Sequence, residues 1–232
     1  MKPLGCGIDA YLSYVTCKLT RRELESRGIR TLIAPPFYWG INRTTHVFGG
    51  TFTVRKETMK ALLHDILGSL KSHGFTTVIN LNFHADGHHC STLLESMREA
   101  RQTLEMDTYC VYSRTRAGRF NLSGEEDHVL LYEEPQAREP LTQDLDIHAG
   151  ANETSLVAAF FPEQVNEEIA RRQKPTNLTS ADMPAWRQDA RRTTPGGYFG
   201  SPANYVAAGT GEDYEQRCRN IADAIEERLG GK

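Results

Sequence analysis

The side chains best suited to chemistry are concentrated in residues 76–90, Thr76-Thr-Val-Ile-Asn-Leu-Asn-Phe-His-Ala-Asp-Gly-His-His-Cys90. The stretch opens β-branched and apolar and closes on imidazoles, a carboxylate and a thiol. His84 and Asp86 stand two residues apart. In an extended chain, side-chain period two aims both at the same side. An imidazole and a carboxylate converging in this way suit a borderline metal such as zinc or manganese. The same residues also read as a polar turn between strand and helix, with Asp86 capping the helix and the histidines solvated.

Two elements must position this stretch. Val78, Ile79 and Leu81 read as a buried strand, and residues 91–102 as the helix after it. In open α/β sheets, ligands bind at the carboxyl ends of the strands. Upstream, residues 18–27 form a charged helix closed by Gly28, and residues 31–34 a short strand stopped by Pro35-Pro36. Residues 37–50 are an aromatic-rich loop carrying His46, followed by strand-like alternation over residues 51–54. Residues 57–73 are the clearest amphipathic helix, with Met59, Leu62, Leu63, Ile66, Leu67 and Leu70 at spacings of three and four. A further strand is expected at residues 108–112. This alternation predicts a three-layer α/β/α sandwich with a mostly parallel sheet covered on both faces. Residues 114–145 read as polar loop, 155–161 and 163–171 as helices, 173–194 as loop anchored by Trp186, and 213–229 as the closing helix. No repeat or linker interrupts the chain, so residues 1–232 are read as one domain.

A formal net charge of −3, with both signs interspersed, argues against a nucleic-acid footprint and against a polybasic membrane patch. No apolar run is long enough to span a membrane, and no secretory signal pattern opens the chain. The five cysteines are scattered and odd in number, which reads as reduced thiols of a cytoplasmic protein. Pro3 and Gly5 read as a strand exit with no strand before them, which points to a segment preceding Met1.

Several stretches together resemble the creatininase (creatinine amidohydrolase) family. Gly50-Thr-Phe-Thr-Val54 is similar to its Gly-Thr-Ile-Ser-Leu segment, with His46 matching a His just before it. Asn82-Phe-His-Ala-Asp86 resembles its Asn-Gly-His-x-Glu form. His148-Ala-Gly-Ala-Asn-Glu-Thr-Ser155 is similar to its His-Ala-Gly-x-x-Glu-Thr-Ser, and Gly200-Ser-Pro202 to its late Gly-Asp-Pro. The resemblance implies hydrolysis of amide-like C–N bonds in a small polar substrate, with one or two divalent metals, in a homo-oligomer, usually a hexamer. It implies that His84 and Asp86 are metal ligands, that Glu153 is a carboxylate of the metal site, and that His148 handles protons at the scissile bond. The residue-level alternative for His148 and Glu153 is a capped helix start.

The N-terminus departs from the family pattern. The family's Pro-x-Gly-Ser-x-Glu-x-His, followed by an Asp, supplies Glu, His and Asp ligands. Here Pro3-Leu-Gly-Cys-Gly-Ile-Asp-Ala-Tyr-Leu-Ser-Tyr-Val-Thr-Cys17 keeps the frame and aligns Gly7, Asp9 and Cys17 with those positions. Asp9, Cys17 and His84 are therefore the donors available for one zinc, manganese being the second choice, and occupancy falls to one ion or none. Cys17 also reads as a small buried hydrophobe. Phe83 replaces the family's small Gly and is expected to reshape the pocket floor, which argues against creatinine as a good substrate. The leading expectation is a metal-dependent amidohydrolase acting on an amide, cyclic amide or formamide. The alternatives are a catalytically silent ligand-binding or structural relative, and a metal-independent lyase or isomerase using His148 and Glu153.

Overall fold

The computed structural model describes residues 3–135, 141–142 and 145–230. Three parallel strands form one sheet in the order β1-β2-β3: β1 is Thr77–Asn80, β2 is Asp107–Ser113 and β3 is Val129–Tyr132. Cys110 of β2 lies opposite both Asn80 and Val129, which fixes the register on each side. β2 is central and buried almost throughout, and its alternate side chains feed two cores. Tyr109 and Val111 pack with Leu130, Leu24, Ile221 and Ile225 on one face. Cys110 and Tyr112 pack with Met59, Leu63, Leu67, Leu93 and Met97 on the other.

Those two faces are covered by the long helices, giving the three layers expected. One cover is α1 (Ile8–Ser26) with the terminal helix Thr210–Gly230; the other is α2 (Lys56–Ser72) with α3 (Gly87–Thr103). Between β2 and the last helix come α4 (Arg114–Ala117), α5 (Ala151–Phe160), α6 (Glu167–Arg172), α7 (Met183–Gln188) and α8 (Ala190–Thr193), making the terminal helix α9. No helix among the described residues is long and apolar enough to cross a membrane.

Several boundaries differ from the sequence reading for physical reasons. α1 starts at Ile8, ten residues before the expected charged helix, because Ile8, Leu12 and Val15 recur at helical spacing and bury one face. β3 lies inside the stretch read as polar loop; its short apolar run, Val129 to Tyr132, is flanked by charge and too brief to show a period. Residues 173–194 carry α7 and α8 rather than loop alone. Residues 31–34 and 51–54 are not strands. Residues 30–39 make no backbone–backbone hydrogen bond among the described residues, and Leu32 is 75% exposed. Among the described residues β1 is the edge of the sheet, and none of its four residues is fully buried. Free edges of this kind are templates for pairing with another chain.

Candidate active site

The chain leaves β1 at Asn80 and crosses to α3 through residues 81–86. Asn82 locks the turn: its side-chain Nδ2 donates to the His84 carbonyl (2.8 Å), and its Oδ1 accepts from the His84 N–H (3.1 Å). Phe83 packs against the apolar clusters of Ile8, Leu12 and Val157 and of Val15 and Tyr214, and so anchors the turn to α1, α5 and α9. Asp86 is the N-cap of α3. Its Oδ1 accepts from the N–H groups of His88 (2.9 Å) and His89 (3.2 Å), and its Oδ2 from Arg43 N–H (2.8 Å). The capping reading of Asp86 thus describes its contacts.

His84 is held at both ring nitrogens. Nε2 lies 3.0 Å from the Ile41 carbonyl and Nδ1 lies 2.8 Å from Asp9 Oδ2. A carbonyl only accepts, so Nε2 carries a hydrogen, and a second proton shared with Asp9 makes the contact an ion pair. Burial opposes the charge on each partner, but the hydrogen bond and mutual attraction prevail. His84 is shifted upward and Asp9 downward from their ordinary pKa values. Asp9 comes from the first turn of α1.

His89, on the first turn of α3, stacks edge-on against His84 with ring centroids 4.9 Å apart. Its Nδ1 accepts from the Ile41 N–H at 3.3 Å, so one residue of the loop sets the tautomers of both rings. Gly40 lets that loop approach, since a Cβ there would stand 2.8 Å from His89 Nδ1. Burial, reinforced by the neighbouring His84, pushes the His89 pKa down to about 3 and leaves a neutral imidazole.

The second half of the cluster is built by the turn into α5. His148 bridges antiparallel to Phe199, and Phe199 N–H donates to its carbonyl at 2.7 Å. Ala149 then takes φ +47°, a left-handed conformation that is costly for a residue with a Cβ. The kink directs the Ala149 N–H to Glu153 Oε2 at 2.8 Å, and His148 Nδ1 stands 4.0 Å from the same oxygen. Burial, then the negative charge of Asp9, pushes the Glu153 carboxyl up to about 8. Asp146 caps α5 by accepting from Asn152 N–H at 2.8 Å and from Ala151 N–H. A side chain on Gly150 would collide with the Asp146 carboxylate, and one on Gly200 would crowd it. Trp186 packs 6.4 Å from His148 and 5.4 Å from Phe199, fixed by its Nε1 donating to Thr194 Oγ1 at 3.0 Å.

The two halves share one field. Asp9 is influenced by His84, His148 and His89, and Glu153 by Asp9, Asp146 and His84. The structure therefore gathers four of the expected residues: Asp9, His84, His148 and Glu153. Asp86 sits beside them as a cap. Cys17 is not brought in. It lies eight residues beyond Asp9 on the same helix, about 12 Å along the axis. Burial keeps it a thiol, raising its pKa to about 11. His46 stays apart, with Nδ1 2.6 Å from the Arg43 carbonyl. Sequence reasoning missed His89 and Asp146. His89 stood in plain view beside His88, whereas Asp146 caps a helix five residues downstream and so carries no local signal.

A metal centre needs three or more donors converging at about 2.0–2.3 Å from one point. Among the described residues, no three His, Cys, Asp or Glu side chains are so arranged. His84 has both nitrogens engaged, Asp86 is spent on three backbone N–H groups, and Cys17 is too distant. This donor arrangement does not fit a two-metal centre, the upper of the one or two ions that the resemblance implies.

Comparison with known proteins agrees on the fold. A solved creatinine amidohydrolase (creatininase) superposes with a TM-score of 0.64 at 20% identity, covering 97% of this chain and 84% of that one. A zinc–zinc form of a creatininase variant gives 0.64 at 21% identity over 97% and 84%. A putative creatinine amidohydrolase from Bacteroides fragilis gives 0.60 at 18% over 97% and 83%. A further match is a manganese creatininase, with a TM-score of 0.59 at 20% identity over 98% and 86%. A search of curated protein sequences found no match. The creatinine amidohydrolase family profile matches residues 2–225, nearly the whole length. The chain belongs to the creatininase family.

Proposed function

We propose that this protein hydrolyses a C–N bond of a small polar molecule, an amide, cyclic amide or formamide, at the cluster of Asp9, His84, His148 and Glu153. The observation that carries this reading is the Glu153 carboxyl, held protonated near neutrality at about pKa 8 and 4.0 Å from His148. A protonated carboxyl beside an imidazole is an acid and a base within reach of one bond. His148 takes a proton from the attacking water. Glu153, whose Oε2 is occupied by the Ala149 N–H, gives its proton to the departing nitrogen. The products are a carboxylic acid and an amine, and the two side chains exchange back through solvent. The Asp9–His84 pair transfers no proton to substrate, since both His84 nitrogens are engaged; it supplies a fixed local field.

Family likeness supports a divalent ion, zinc before manganese, with Asp9, His84 and Glu153 as its candidate donors. None of the steps above passes through it. The free thiols of Cys6, Cys17, Cys90, Cys110 and Cys218 support a cytoplasmic setting. The open edge of β1 and the exposed Leu32 support assembly into a homo-oligomer. The self-satisfied Asp9–His84 pair favours one second reading, a relative that binds a ligand without turning it over.

The test is a panel of cyclic amides, formamides and lactones, assayed with chelator, with added zinc and with added manganese. Hydrolysis of a C–N member supports the proposal. Binding without turnover on every member would favour the second reading, and activity confined to lactones would refute C–N hydrolysis.

A further inference from the structure

Beyond Asn80, β1 no longer pairs with β2, so the carbonyls of residues 82–84 lose their ladder partners just where the chain must present His84. Unpaired carbonyls in a half-buried turn need donors from elsewhere. The His84 carbonyl already accepts from Asn82 Nδ2 at 2.8 Å and from Cys90 Sγ at 3.4 Å, and one further side chain reaches all three carbonyls. Arg116, on the short α4 that follows β2, donates through Nη1 to the carbonyls of Asn82 and Phe83, each at 3.3 Å, and through Nη2 to the carbonyl of His84. Its Nη2 also lies 3.5 Å from Cys90 Sγ, on the first turn of α3. Ser113 fixes the base of α4 by accepting from the Arg116 N–H at 3.2 Å, and the guanidinium stands 5.9 Å from the Tyr112 ring centroid.

We propose that Arg116 is the positioning residue of this site. Its planar fork clamps three consecutive carbonyls and thereby sets His84 against Asp9 and Ile41. A lysine carries the same charge but only a point-like head, which cannot span three acceptors. The inference rests on the cluster around His84 being the functional site, but its test reads geometry directly and needs no substrate.

The experiment uses the full chain, nitrogen-15 labelled, as wild type, R116K and R116A, with H84Q to assign the His84 signals. Two-bond correlation spectra report the ring nitrogens of His84 and His148, and hydrogen exchange reports the His84 Nε2–H held by Ile41. The expected result for R116K is a displaced His84 pattern and at least roughly tenfold faster exchange of that proton, with His148 unmoved. R116A should do the same more strongly; if R116A does not fold, R116K decides alone. Where the proposed hydrolysis is measurable, kcat should fall about tenfold to a hundredfold with KM nearly unchanged, the usual outcome of a small misplacement. A His84 pattern and exchange rate identical to wild type in R116K would overturn the proposal. Equal disturbance of His84 and His148 would also overturn it, since it would make Arg116 a general stabiliser of the fold.

Discussion

Replacing Asp86 with alanine separates the two roles that its position allows. Its carboxylate accepts from His88 and His89 N–H at the start of α3 and from Arg43 N–H across the loop. Loss of the N-cap costs about 1 kcal/mol. Loss of the charged hydrogen bond to Arg43 costs about 1.5–3 kcal/mol more, as usual for bonds to an ionised group. The two act on separate segments, so D86A should lose about 2.5–4 kcal/mol. For a chain of this size, each kcal/mol moves Tm by about 2–4 °C, so the melt should fall by roughly 5–15 °C. D86N keeps an oxygen that can cap and should recover more than half of that loss. Thermal unfolding followed by circular dichroism, with metal content measured on the same samples, is the assay. A D86A melt within 1 °C of wild type (about 0.5 kcal/mol at most) would refute the capping account. Lost metal with unchanged stability in D86N would make Asp86 a ligand.

Two further outcomes follow from burial. Because the folded Glu153 stays protonated to about pH 8 while the unfolded residue ionises near its ordinary value, the fold binds the extra proton between those limits. Its contribution therefore erodes as pH rises from about 4.3 towards 8, and E153Q should flatten that decline in pH-dependent denaturant unfolding. A steeper decline in E153Q would contradict the shift. Ile225 of α9 is 1% exposed against Tyr109 and Val111, so Ile225→Ala should cost about 2–5 kcal/mol in urea unfolding. A cost under about 1 kcal/mol would mean that α9 does not cover the sheet as described.

The sequence was most readable where periodicity and packing agree. The spacing of Met59, Leu63 and Leu67 located α2 to within a residue at each end, and the β-branched run before His84 located β1. It was least readable where order comes from distant partners. β3 is short and flanked by charge, so only its place beside β2 marks it as a strand. The segment over residues 31–34 has strand composition but no backbone partner among the described residues, and composition alone cannot supply one. At the site, residue type and spacing pointed to His84, and the family resemblance to His148 and Glu153, but neither said who holds them. Ile41 acts through its backbone, Asp146 caps from outside its helix, and Arg116 reaches across from the short helix after the next strand. Cys17 shows the converse. Alignment put it at a ligand position, whereas the early start of α1 carried it two turns from Asp9.

The account stands most directly on Glu153 as the proton donor to the leaving nitrogen. The decisive measurement is the pH dependence of kcat for wild type and E153Q on whichever C–N substrate the panel identifies. The account predicts an alkaline limb near pH 8 in the wild type, from the carboxyl raised by burial and Asp9. In E153Q that limb should vanish and kcat should fall about a hundredfold to ten-thousandfold. An E153Q enzyme retaining wild-type kcat with the same alkaline limb would contradict it.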